Sequence, residues 1–278
     1  MARRAPRPID LGELGPPPPR VAPGAMFEPG SAAARLLGHP AVLLGGTRAL
    51  LLQLAHPSVA AGVADHSDFQ AAPFDRLLRT LSAMGTIGFA DPATSQRALA
   101  AVATTHQRVR GRRQDGRPYA AGDPRLAAWV HATLIDTALA VEARWLGAFS
   151  LAERQSFYRQ TLALARAFGA PVEGDGAGEG DGQDGGDAPG GSLPGDLAGF
   201  GRWFRAGMDA LEVTEAARSM GADVLHPPLT SMWGRWAAPV ERAVAAGLAA
   251  VTAELLPRRL RLAYGLPEPA GARGAALD

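Results

Sequence analysis

Apolar side chains recur at helical spacing through most of the chain, and helix start and stop signals flank these segments. Asp91-Pro92 is typical of an N-cap followed by proline in the first turn, and Gly111 marks the predicted helix end. Asp123-Pro124 opens a second helix in the same way, with an apolar stripe that reaches about Trp145. The shared face of the first helix consists of Ala98, Leu99, Val102, His106 and Val109.

The same pattern predicts six further helices and one turn. The turn is Asp115-Gly116, which indicates a short hairpin between Gly111 and Gly122. Since helical spacing dominates, the predicted fold class is all-α. The six helices run from Thr47 to His56, Pro73 to about Met84, Ser150 to Phe168, Asp196 to Leu211, Thr214 to Gly221 and Pro239 to Leu256.

Three segments show neither the helical spacing nor the alternation of a strand. Two of them flank the predicted domain, and one lies within it. Residues 1–25 are rich in proline and arginine and predict an extended, disordered arm. Residues 174–191 are rich in glycine and acidic side chains, which predicts a disordered acidic insertion. Residues 267–278 predict a flexible tail, so a single helical domain is expected over residues 26–266.

Composition removes several classes of chemistry. The 278 residues contain no cysteine and no lysine, which excludes disulfides, cysteine-ligated metals, Schiff bases and the P-loop lysine. Twenty-eight basic and 27 acidic residues leave a net charge of +1, which disfavours nucleic acid as a partner.

The apolar stretches and the N-terminal residues indicate where in the cell the protein is expected to be located. The longest apolar stretches, Ala41 to Ala55 and Trp236 to Leu256, contain charged residues, so no membrane span is predicted. Arg3 and Arg4 are followed by prolines rather than an apolar stretch, so we expect a cytoplasmic protein.

Histidines are the natural candidates for metal ligation in a chain without cysteine. His39 and His226 each precede proline in predicted loops, and His56 closes an apolar helix. His106 shares its helix face with Val102 and Val109, which predicts an inward imidazole. That imidazole would need either a hydrogen-bond partner or a metal, and the spacing does not choose between them.

His131 lies beside the apolar stripe of the helix that follows Asp123. Its polar neighbours in sequence, Thr133, Asp136 and Thr137, would supply hydrogen-bond partners. The same two roles, a hydrogen-bonded core histidine or a metal ligand, are open for this residue.

Arg76 and Thr80 lie four residues apart, which places a guanidinium and a hydroxyl on one side of a helix. Such a pair suits an oxygen site or a carboxylate, whereas the alternative is an arginine on a solvated face paired with an acid such as Asp75. Asp65-His66-Ser67 cannot act as a triad because consecutive residues do not align.

Two other site types are disfavoured. Gly45-Gly46 lacks the lysine of a phosphate loop. No glutamate has a histidine three residues on, so a di-iron centre is not predicted.

Six motifs, in order along the chain, resemble those of the MpaB-like oxygenase family, which shares its catalytic domain with the rubber oxygenases, or latex clearing proteins. The resemblance extends over about residues 26–266. The motifs are Gly45-Gly-Thr-Arg-Ala-Leu-Leu-Leu-Gln-Leu-Ala-His-Pro57, Gly62-Val-Ala-Asp-His-Ser67, Asp75-Arg-Leu-Leu-Arg-Thr80, His106-Gln-Arg-Val-Arg-Gly111, Gly116-Arg-Pro-Tyr-Ala-Ala-Gly-Asp-Pro124 and Trp129-Val-His-Ala-Thr-Leu134.

The resemblance implies a globin-like all-α packing around one haem b and an oxygenase that uses dioxygen. It makes His106 the proximal iron ligand, and Arg76 and Thr80 the distal pair. His131 and His66 match the wider family, and His131 is the second choice for the ligand or a group on the distal side.

The sequence therefore predicts a haem b oxygenase or related oxidoreductase for a small, apolar, unsaturated and isoprenoid-like substrate, with no nucleic-acid partner. The alternative is a helical protein that binds haem or a hydrophobic ligand without turnover. A third hypothesis is a non-haem metal site formed by His56, His66, His106 and His131.

Overall fold

Eleven α-helices and one two-stranded hairpin form the described part of the chain. The computed structural model describes residues 21–66, 73–147, 149–175, 191–226, 229–230 and 234–269, with backbone alone for 73–79 and 81. The predicted all-α class is confirmed. The helices are α1 (Ala32–Leu37), α2 (Gly46–Leu54), α3 (Pro57–His66), α4 (Pro73–Phe89), α5 (Pro92–Gln107), α6 (Pro124–Val141), α7 (Leu151–Ala167), α8 (Leu197–Asp209), α9 (Glu215–Leu225), α10 (Ala238–Leu255) and α11 (Arg258–Ala263).

Shorter elements join these helices. Strands β1 (Arg110–Arg112) and β2 (Pro118–Ala120) pair antiparallel, which confirms the predicted hairpin. A 3-10 turn (Pro40–Gly45) leads into α2, and a π turn (Glu142–Leu146) extends α6 to the predicted end near Trp145. Of the predicted acidic insertion, residues 176–190 lie outside the described residues.

Helix starts follow the capping signals of the sequence. The carboxylates of Asp91 and Asp123 accept hydrogen bonds from the amides of Thr94 and Arg125, at 3.0 and 2.8 Å. Ser150 forms a complete capping box with Glu153 at the start of α7. Each side chain satisfies amides that the first helical turn leaves unpaired.

Helices α1, α3 and α11 were not predicted. Proline ends α2 as expected, since α2 stops at Leu54, but Pro57 is also the first residue of α3. Its fixed backbone angle suits a first helical turn as well as it prevents continuation of the helix before it.

Helix α6 is the central helix of the fold. From Pro124 to Leu146 this segment is long and apolar enough to cross a membrane by length and composition, and 61% of its apolar stretch is buried inside the fold. It also carries buried polar residues, including His131 and Glu142. Such burial is the behaviour of a core helix.

Aromatic rings connect α6 to α7 and α8. Trp129 stacks on Phe204 with ring centroids 5.4 Å apart, and Phe204 stacks on Phe200 at 5.7 Å. Phe200 contacts Tyr158, whose hydroxyl donates to the Pro194 carbonyl. All four rings are buried, and they fix the position of α6 at one side of the core.

The motif Gly45-Gly-Thr-Arg48 joins α2 to α6 and α10. A Cβ at Gly45 would overlap Thr137 and lie 2.9 Å from Val141, so only glycine permits this approach. Arg48 is buried and donates to Asp136, Thr137 and the Leu255 carbonyl. Of the two adjacent glycines, Gly45 therefore serves helix packing.

Helices α4 and α5 are joined by two residues and contact each other. Of the α5 residues only Ser95 is buried, and Ala98, Leu99 and Val102 are half-buried against the core. The prediction of which side of α5 faces the core is confirmed, but the side chains on that side are mostly half-buried rather than buried.

Candidate functional site

The sequence-predicted distal residue Arg76 and proximal residue His106 lie equally far along α4 and α5 from the connection between these helices. Arg76 lies 13 residues before the end of α4, and His106 lies 14 residues after the start of α5. At about 1.5 Å per residue, both positions are about 20 Å from the connection between the two helices. Thr80 lies about one turn nearer that connection.

His106 is exposed, so the predicted inward orientation is wrong. The helical period correctly predicted that the imidazole lies on the same side of α5 as the half-buried Val102. It could not show how far the body extends beneath the last turn of α5, where His106 is located. An exposed imidazole is accessible to a ligand, and the predicted role of His106 as iron ligand stays a prediction.

The distal pair is described only in part. Thr80 is exposed on α4, and the side chain of Arg76 lies outside the described residues. The predicted helix is present and extends to Phe89, five residues beyond Met84. The predicted role of the pair at an oxygen site stays a prediction.

The β1–β2 hairpin directly follows α5 and rests on the end of α3. His66 Nε2 lies 3.0 Å from the Arg110 carbonyl oxygen, and its ring meets Tyr119 edge-on at 6.2 Å. The Tyr119 hydroxyl donates to an Asp65 carboxylate oxygen at 2.5 Å. Asp65 and His66 thus hold the hairpin from one side.

Gly111 makes room for Tyr119. A Cβ at Gly111 would lie 2.6 Å from the Tyr119 hydroxyl oxygen, whereas one at Gly62 would be in ordinary van der Waals contact with its ring at 3.5 Å. Burial, followed by the interaction with Asp65, raises the pKa of Tyr119 to about 12, so the hydroxyl keeps its proton at neutral pH. Sequence reasoning missed this residue, although it is the only aromatic side chain in the hairpin.

These contacts are continuous with His106. The Val109 amide donates to the His106 carbonyl at 3.0 Å, and the Ala121 amide donates to the Val109 carbonyl at 2.9 Å. The backbone that carries His106 is therefore tied to the hairpin, which α3 holds in turn. The contacts bring together three of the six motifs, those that begin at Gly62, His106 and Gly116.

His131 lies in the core on α6, 4% exposed. Burial lowers its pKa to about 3, so the imidazole is neutral at pH 7. Its Nε2 atom is buried and has no hydrogen-bond partner in the described part of the chain. A neutral imidazole whose Nε2 is unpaired has the chemistry of a metal ligand or an acceptor in the tautomer that carries its proton on Nδ1.

The predicted hydrogen-bond partners of His131 are wrong. Asp136 and Thr137 bind Arg48 from α2, and the Thr133 hydroxyl donates to the Val130 carbonyl while it accepts from Gln53. Neighbours in sequence point in different directions around a helix, so each of these side chains serves a different contact.

His56 is 1% exposed and packs near the Trp129 ring. Its Nδ1 accepts a hydrogen bond from the Ser58 amide at 3.2 Å, so the imidazole caps α3 rather than the preceding helix. Since Nδ1 accepts, Nε2 carries the proton in the neutral ring, and this atom is buried without a partner in the described residues. Burial lowers the pKa of His56 to about 4.

The hypothesis of a non-haem site formed by four histidines is not supported. Among the described residues, no group of three or more His, Cys, Asp or Glu side chains could hold a metal ion. His66 bonds to a carbonyl oxygen and His131 is buried in α6. A haem iron needs only one protein imidazole, and both the exposed His106 and the neutral His131 fit that requirement.

Comparison with protein families gives one match. A family model described as "ER-bound oxygenase mpaB/B'/Rubber oxygenase, catalytic domain" matches residues 34–277. No curated protein and no solved structure matches the chain.

Proposed function

The chain belongs to this family of oxygenase catalytic domains, as its motifs indicated. On that premise we propose that it is a haem b-dependent oxygenase. It acts with dioxygen on a small apolar, unsaturated, isoprenoid-like substrate. The observation that carries the proposal is that Arg76 and His106 lie equally far along α4 and α5 from the connection between these helices, within a chain matched by an oxygenase family over most of its length.

The donor set restricts how haem would be held. Without cysteine, an imidazole is the expected axial ligand. We assign this role to His106, because it is accessible and because it is anchored through its backbone to the hairpin. His131 is the second choice, since its Nε2 is unprotonated in one neutral tautomer and unpaired.

Bound haem would supply the redox chemistry with dioxygen. The residues of this chain would position and orient the reactants. Arg76 would offer fixed N–H donors to an oxygen atom or a carboxylate, and the Thr80 hydroxyl would offer a single donor nearby. The half-buried Leu99 and Val102 on α5 would give the apolar surface that such a substrate needs.

A haemin titration of the purified protein tests the cofactor assignment. We expect a Soret band that saturates at one haem per chain and a pyridine haemochrome spectrum of haem b. His106→Ala should remove the band or shift it and weaken haem binding, whereas His226→Ala, a change at the exposed histidine that directly follows α9, should leave both unchanged. Loss of binding in His131→Ala alone would move the ligand assignment to α6.

Turnover separates the oxygenase from a carrier. The haem-loaded protein with farnesol as an isoprenoid probe should consume dioxygen, and an oxygenated or cleaved product should accumulate. Haem uptake with no dioxygen-dependent product from any isoprenoid alkene would favour the non-catalytic alternative.

A further inference from the structure

The outward face of the β1–β2 hairpin combines positive charge with small apolar side chains. In the antiparallel register Arg110 pairs with Ala120 and Arg112 pairs with Pro118. Side chains alternate along a strand, so these four residues share the face opposite to Tyr119, which is buried against α3. All four are exposed.

Two guanidinium groups on this face are oriented by carbonyl oxygens. Arg110 donates to the Gln107 carbonyl at 2.7 Å, and Arg112 donates to the Gly116 carbonyl at 2.9 Å. Neither has a carboxylate partner among the described residues, and the same holds for the exposed Arg108 beside them. Each guanidinium has five N–H donors, so most of them are available to a ligand.

Charge is concentrated in this segment. Residues 108–117 contain five arginines and one aspartate, although the whole chain has a net charge of only +1. Asp115 interacts with Arg113 and Arg117, at 2.6 and 3.8 Å, rather than with the arginines of the outer face. The local field of the hairpin therefore attracts anions, which the balanced total charge concealed.

A hollow lies on this part of the hairpin. Its volume is about 440 Å³, and the hairpin residues that line it are Arg110, Gly111, Arg112, Pro118, Tyr119 and Ala120. The backbone positions of two arginines at alternate places in one strand are about 6.6 Å apart, so rotation of the two side chains away from the Gln107 and Gly116 carbonyls can bring both guanidinium groups to one phosphate or carboxylate. Pro118 and Ala120 provide an apolar wall next to the two charges.

We propose that this hollow binds the anionic head, a phosphate or carboxylate, of an amphiphilic molecule, with Arg110 and Arg112 as the donors. The inference deepens the proposed function and rests on it, since it identifies the substrate as an apolar chain that ends in an anionic group. The hairpin begins where α5 ends, and the Val109 amide is bonded to the His106 carbonyl, so a head group held here lies next to the proposed haem-binding end.

Binding to the haem-free protein tests the proposal independently of haem. Isothermal titration with monomeric decyl phosphate should give one site, with weaker binding of inorganic phosphate and of decanol. The double variant R110Q/R112Q should weaken binding of decyl phosphate by about tenfold or more, because two charge-assisted hydrogen bonds are lost. The affinity of the native protein should fall as salt is raised.

A matched variant controls for charge and surface position. R202Q/R205Q removes two exposed arginines from α8 and should leave decyl phosphate binding unchanged.

The NMR signals of the Arg110 and Arg112 Nε–H groups should shift on titration of the native protein, which locates the ligand without any variant. A Soret band with no decyl phosphate binding would overturn the head-group site alone, and binding without a Soret band would overturn haem dependence alone.

Three further results would contradict the proposal. Equal weakening in R202Q/R205Q would reduce it to a general effect of charge. Equal affinity for decanol would show that the anionic head contributes nothing. Binding confined to vesicles that contain an anionic lipid, with no binding of monomeric decyl phosphate, would show a membrane surface rather than a single amphiphile as the partner.

Discussion

The two buried imidazoles of His56 and His131 have lowered pKa values, which make the stability of the fold sensitive to acid. Burial is the first cause of the lowered pKa in both, to about 4 for His56 and about 3 for His131. Both are therefore neutral in the folded protein at pH 7, and protonation would place an unpaired charge in the core. In the unfolded chain each histidine titrates near 6.5.

This difference fixes the sign of the pH dependence. Between the folded and unfolded pKa values the unfolded chain binds more protons, so stability is full above about pH 6.5 and falls as the pH decreases toward 4. Each histidine contributes a slope of up to about 1.4 kcal/mol per pH unit in this window. Urea unfolding at several pH values between 4 and 7 measures it.

Removal of one imidazole should reduce that slope. His131→Leu should decrease the proton uptake on unfolding by about one proton, while Ile135→Val, a nearby buried change without a titrating group, should lower stability equally at each pH. An undiminished slope in His131→Leu would show that His131 is not a source of the acid sensitivity.

At the scale of elements, the contact of α2 with α6 depends on one glycine of an adjacent pair. Gly45→Ala should destabilise the protein by about 1–3 kcal/mol, because the added Cβ overlaps Thr137 and crowds Val141. Gly46→Ala should be neutral or stabilise by up to about 1 kcal/mol, since nothing lies within 4 Å of its Cβ position and α2 favours alanine. Thermal unfolding of the two variants tests the difference, and equal effects would contradict this packing.

The hairpin offers a second test at the scale of elements. Tyr119→Phe removes the hydrogen bond to Asp65 and should cost about 1 kcal/mol. Because the hairpin is held from α3, hydrogen exchange of the Ala121 amide should become faster. Tyr158→Phe, which loses a bond to Pro194 in the core, should lower global stability without specific acceleration at Ala121. The same acceleration in both variants would argue against a local contact.

At the scale of the whole molecule, Arg48 joins segments that are far apart in sequence. Its guanidinium contacts Asp136 and Thr137 on α6 and the Leu255 carbonyl at the end of α10. The Thr47 hydroxyl forms a further hydrogen bond with Thr252 on α10. The N-terminal and C-terminal parts of the domain therefore meet at one buried cation.

Arg48→Met should reduce the free energy of unfolding by about 2–3 kcal/mol, because it leaves buried acceptors unpaired. The cost is below that of a fully buried pair, since the Asp136 side chain is 29% exposed. Arg144→Met removes an exposed pair with Glu254 and should cost less than about 1 kcal/mol. Equal losses would show that the Arg48 contacts contribute no more than a surface ion pair.

The sequence by itself determined the features that depend on near neighbours along the chain. The capped starts of α5, α6 and α7, the hairpin turn and the all-α class follow from residues a few positions apart. The family followed from motif order, because motifs preserve the residue types and spacings of a shared domain.

Only the tertiary structure decided how far each helix face is buried and which side chains contact each other. Helical spacing placed His106 beside Val102 but could not show that the last turn of α5 is exposed, since burial depends on the elements packed beneath it. The contacts of Tyr119 with Asp65 and of Arg48 with Leu255 join residues 54 and 207 positions apart. Separations of this kind leave no local signal, because they are set when helices pack.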